Sequence, residues 1–168
     1  MAEPERWTRD PTEHDVRELA GTIYGTIIVT ALVGGFSEDK GIDAWQLLIA
    51  VAATTFVFWV AHAYAEVLSK RLIAGRLPWH EVRMALVAEA AIIRAGVPAA
   101  IALALAVVGV YSTETGAELA VALGVITLAM LGFVLVRSEG GRTPQAIAGA
   151  LLNASFGLVI VALKALVG

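Results

Sequence analysis

Five apolar runs dominate this chain: Leu19–Phe36, Trp45–Ala65, Met84–Val110, Leu119–Val136 and Ala146–Val167. Each is close to the roughly 20 residues needed to cross a hydrocarbon core about 30 Å thick. A bilayer interior offers no water to free backbone groups, so runs of this length must span it as helices. Charged residues make up only 16% of the sequence, against 58% hydrophobic, and they cluster between the runs. A soluble domain carries nearer a quarter charged residues. The fold class expected is therefore all-α: one membrane domain over residues 1–168, a polytopic helix bundle of five spans. A polar segment over residues 1–18 precedes the first span. It lacks the apolar stretch after a basic start that a signal peptide has, so none is expected.

Helix-start signals agree with these limits. Asp10-Pro11-Thr12-Glu13 combines a capping acid with a first-turn proline, which predicts an interfacial helix running into the first span. Asp43 precedes the second span, Thr115-Gly116-Ala117-Glu118 reads as a capping box before the fourth, and Thr143-Pro144-Gln145 opens the fifth. Gly34-Gly35 can end the first helix. Pro98 predicts a tilt or kink in the long third run. Short connections predict that spans adjacent in sequence pack as antiparallel neighbours.

Lysine and arginine placement gives an orientation. Arg6, Arg9, Arg17, Lys70, Arg71, Arg76, Arg83, Arg137 and Arg142 fall on one side, and only Lys40 on the other. The N-terminus is expected inside and the C-terminus outside, in the cell membrane. Trp45 and Trp79 lie where aromatic belts form.

Polar groups inside a membrane are costly and mark candidate pathway or gating residues. Counting from the basic flanks at ~1.5 Å per residue puts Glu66 ~6 Å deep, Glu89 ~9 Å, His62 ~12 Å, Thr26 ~13 Å, and Arg94 and Asn153 ~16 Å. His62 and Glu66 share a face with Thr55 and Trp59. They read either as a protonation switch or as a structural pair of groups, Glu66 with Lys70 and His62 with a neighbouring helix. Arg94 needs a counter-ion or water, and Glu66 on the adjacent span is the expected acid. Glu89, five residues away on the same helix, does not share its face. Thr22, Thr26 and Thr30 form a stripe beside Gly21 and Gly25. It reads as a pore lining, or as packing in which the glycines let helices approach closely. Gly149, Asn153 and Gly157 share a face of the fifth span, where the asparagine acts as helix glue. Lys164 is expected to snorkel.

Other chemistry is absent from the sequence. There are no cysteines, so disulfides and thiolate ligands are excluded. No phosphate loop, HExxH or G-x-S-x-G occurs. The net charge of −3 gives no reason to expect nucleic-acid binding. No cofactor, metal site or enzymatic activity is expected.

Phe56-Val57-Phe58-Trp59-Val60-Ala61-His62, followed by a span containing Gly96-Val97-Pro98, resembles the second and third spans of the endolysosomal potassium channel family and its bacterial relatives. The similarity covers Trp45 to Leu105. That family opens its first span with R-x-x-x-F-S-D, where this chain has Arg17-Glu-Leu-Ala-Gly-Thr-Ile-Tyr24, and its subunits have six spans. The resemblance implies an oligomer with the first span lining a pore. The function expected is a small oligomeric ion channel or ion-coupled transporter, a homo-oligomer handling a small ion. The alternative is a non-transporting accessory or assembly subunit whose intramembrane polar groups are structural.

Overall fold

The structure is a computed structural model describing residues 13–36, 41–75 and 78–167, with side chains over 18–36, 41–72, 75, 78–162 and 166. The readings placed on Arg6, Arg9, Asp10–Thr12, Lys40 and Arg76, and on the side chains of Arg17 and Lys164, lie outside these residues. The described chain is helical: α1 (Glu13–Phe36), α2 (Ala44–Ala74), α3 (Trp79–Ala88), α4 (Ala90–Val107), α5 (Thr113–Ser138) and α6 (Thr143–Val167). Five segments are long and apolar enough to cross a membrane, with α3 and α4 together forming the third. The all-α, five-span reading is correct, and this is a multi-pass membrane protein.

The helix starts follow their local chemistry, with one shift. The Asp43 N–H donates to the Gln46 side chain at 2.9 Å, and the Arg142 N–H donates to the Gln145 side chain at 2.7 Å. In each case a side chain supplies the acceptor that helix geometry does not. The fourth span, however, starts at Thr113 and not at a Thr115 cap. Its N-cap is Ser112, whose hydroxyl accepts from the Thr115 N–H at 3.2 Å. Gly34 and Gly35 lie inside α1, which runs on to Phe36.

The third span is interrupted at Glu89, nine residues before the expected kink site. Glu89 adopts φ −83°, ψ 0° and separates α3 from α4. Pro98 lies within α4, where it leaves the Arg94 carbonyl without its usual N–H donor.

The second to fifth spans pack on their neighbours in sequence as expected, and only the first departs. α1 packs mainly on α4 and α5 and only slightly on α2. Glycines decide this. A Cβ on Gly21 would sit 3.2 Å from the Ala91 Cβ, and one on Gly25 would sit 2.9 Å from the Ala95 Cβ. The two contacts advance together along the chain, so α1 and α4 run parallel. Gly124 of α5 faces Thr30 from the other side. The antiparallel pair α5–α6 makes the most extensive contact in the bundle. Its closest approach is at Gly132 and Gly149.

The connections place Arg71, Arg83, Arg137 and Arg142 at one end of the bundle, here termed the basic rim. The main core lies in the half away from it, built from Val29, Val33, Leu47, Val51, Leu103 and Val121 with four alanines.

Candidate functional site

The singled-out polar residues divide among several separate contacts and do not converge. Thr22, Thr26 and Thr30 each donate a hydroxyl to the carbonyl four residues back, at 2.7 Å. The stripe faces α4 and α5 and is a packing surface. Back-bonding lets a hydroxyl sit in an apolar interior without an unmet donor.

Thr26 and Thr30, with Thr127 of α5, border a void that also touches Pro98 and Gly124. Thr127 donates to the Leu123 carbonyl at 2.7 Å. All three hydroxyl protons are thus committed, and the lining offers acceptors. The void has room for one water molecule at most.

Arg94 is paired with Glu18 of α1 at 2.7 Å, and the two side chains are 60% and 39% exposed. The expected partner, Glu66, is instead bonded to Lys70 one turn along α2 at 3.3 Å. The physical reason is the parallel packing of α1 and α4. Glu18 lies three residues before Gly21, and Arg94 three residues after Ala91. The axial gap of roughly 9 Å is crossed by the long arginine stem, because helical side chains lean toward the N-terminus. Arg94 therefore reaches back toward the basic rim. Glu18 immediately precedes the apolar run Leu19–Phe36. Four residues before Thr22, it extends the threonine register by one turn, a signal visible in the sequence.

Glu89 sits at the helix break, where its N–H donates to the Ala85 carbonyl and its own carbonyl accepts from Ile92. His62 bonds through Nδ1 to the Phe58 carbonyl at 3.0 Å, so its partner is its own helix. Its ring lies 5.0 Å from that of Tyr24. Asn153 reaches the Gly149 carbonyl at 3.4 Å, and its amide borders Gly132 on α5. That face of α6 holds helices together, as Gly149, Asn153 and Gly157 suggested.

Comparison with protein-family models, curated proteins and solved structures finds no match. The residues must therefore speak for themselves, and Trp59 is the one whose role the sequence concealed. Its indole N–H donates to the Leu86 carbonyl at 2.9 Å. Leu86 is in the last turn of α3, where carbonyls lose their helical donors. Trp59 thus caps the break from a neighbouring helix. Trp59→Phe keeps the ring but removes the donor, and should destabilise the fold by about 1 kcal/mol. Denaturation in mixed micelles measures this. Unchanged stability would mean that the Leu86 carbonyl finds another donor.

Among the described residues no group of His, Asp and Glu could hold a metal ion. Among the described residues no buried side-chain nitrogen or oxygen lacks a hydrogen-bond partner.

Proposed function

We propose that this protein is a non-transporting helical module of the cell membrane, an accessory or assembly subunit, with its basic rim and N-terminus inside. The observation that carries this reading is the packing of the half away from the basic rim. There the space between helices is filled by Val29, Val33, Leu47, Val51, Leu103 and Val121. An ion path needs dipoles or charged rings in place of the hydration shell, and the side chains of this cluster supply none. Backbone bonds of the threonines, His62 and Asn153 support the same reading, because each is committed to its own helix.

A second reading has one specific observation in its favour. The Glu18–Arg94 pair is left half open on the outside of α1 and α4. An exposed ion pair near the membrane could border a path between copies of the chain in a homo-oligomer. The resemblance to the potassium channel family belongs to this reading, although here the threonine face of α1 is enclosed by α4 and α5.

Flux from liposomes loaded with K+, Na+ or H+ separates the two. Purified protein is expected to release these ions no faster than protein-free liposomes. Release above that background, altered in selectivity by Arg94→Gln, would overturn the accessory reading and establish conduction.

A further inference from the structure

The α2–α3 bend carries two arginines without partners. Arg71 is in the last turn of α2, and Arg83 lies five residues after Pro78, in the second turn of α3. Among the described residues neither forms an ion pair or side-chain hydrogen bond. Among the described residues Lys70 is held by Glu66, and the acidic Glu81 in the first turn of α3 pairs with neither arginine.

The bend places both arginines near the same end of the bundle. Gly75, at φ +79°, ends α2 and sends its N–H to the Arg71 carbonyl. A side chain is strained at that angle. Pro78 then starts α3, which folds back along α2, as the Trp59–Leu86 bond requires. Arg71 and Arg83 each stand about one helical turn from the bend, roughly 6 to 8 Å along their axes.

Apolar side chains surround them. Leu72 is 80% exposed, Trp79 77% and Met84 67%. In water that combination would be unfavourable. At a bilayer surface it is complementary to a phospholipid: apolar groups for the acyl boundary, an indole for the headgroup level, and guanidinium forks for phosphate oxygens.

We propose that the α2–α3 bend is a binding site for an anionic phospholipid, whose phosphate is held by Arg71 and Arg83 and whose chains lie against Leu72, Trp79 and Met84. The site needs only the membrane placement of the chain and is independent of whether the protein conducts ions. Arg137, at the α5–α6 turn, is less suited. Arg137 already donates to the Gly141 carbonyl at 3.0 Å.

Native mass spectrometry of the full-length protein, from micelles containing equal phosphatidylglycerol and phosphatidylcholine, tests this. The parent should retain phosphatidylglycerol preferentially. Each of Arg71→Gln and Arg83→Gln should lower that preference about fivefold, and the double variant about thirtyfold. The Arg71→Lys, Arg83→Lys double variant should keep most of it, which excludes loss through misfolding. Arg137→Gln should match the parent. A double Gln variant with parental preference would overturn the proposal. So would an equal drop in Arg137→Gln, which would mean a diffuse rim charge. Displacement of the lipid by millimolar inorganic phosphate would also overturn it, in favour of a soluble anion.

Discussion

A Gly132→Val variant is expected to lose about 3 kcal/mol or more of stability, because α5 and α6 can no longer meet. A Cβ at Gly132 would overlap the Gly149 carbonyl oxygen and lie 2.5 Å from the Asn153 amide. The first of these is backbone and cannot rotate away. In a bilayer the helices gain little from the hydrophobic effect, so close van der Waals contact carries the association. Separating the most extensive helix pair in the bundle therefore removes much of what holds α6. Gly35→Ala provides the control. Among the described residues no packing partner lies within 4 Å of a Cβ built there, and alanine is the better helix former by about 1 kcal/mol. Denaturation by SDS in mixed micelles should rank Gly132→Val well below the parent, and Gly35→Ala at or above it. Equal stability of Gly132→Val and the parent would show that α5 and α6 are not in backbone contact.

Gly25→Leu should cost about 2 kcal/mol, and the loss should not depend on protein concentration. A Cβ there would sit 2.9 Å from the Ala95 Cβ and 3.0 Å from the Ile92 carbonyl. The clash is within one chain, between α1 and α4. From sequence, the Gly21 and Gly25 pair reads equally well as a contact between the first helices of two subunits. That alternative makes a different forecast. Dilution would then deepen the destabilisation, since an interface between copies follows mass action. Moving α1 should also break the Glu18–Arg94 pair. The pair is so exposed that it adds roughly 1 kcal/mol or less to the total. Arg94 alone is thus a weaker structural element than its apparent burial in the sequence suggests.

Two features separate the exposure of Arg94 from its apparent burial, the reach of its stem to Glu18 and the helix break at Glu89. Depth counted along the chain assumes one straight helix from Arg83. The break at Glu89 has no glycine or proline to announce it, and it is stabilised by Trp59, distant in sequence. Neither the break nor the cap is a local property, so no window of residues contains them. The same holds for the partner of Arg94. Sequence proximity pointed to Glu66 on the neighbouring span, whereas the small faces of Gly21, Gly25, Ala91 and Ala95 draw α1 and α4 together. Glu66 finds Lys70, which the one-turn spacing had already offered.

What the chain's own order of residues determined was everything that depends on length and on a single helix: the all-α class, the five spans, the helix starts after Asp43 and at Thr143, the Glu66–Lys70 pair and the glycine-rich faces. These follow from bilayer thickness and from the 3.6-residue turn, both of which act locally. Tertiary structure alone decided which faces meet. It placed α1 parallel to α4, gave Arg94 to Glu18, closed the threonine stripe against α5, and left Arg71 and Arg83 open at the bend. Helix pairing in a membrane depends on how closely two surfaces can approach, and that is a property of pairs of helices, which no single run of sequence contains.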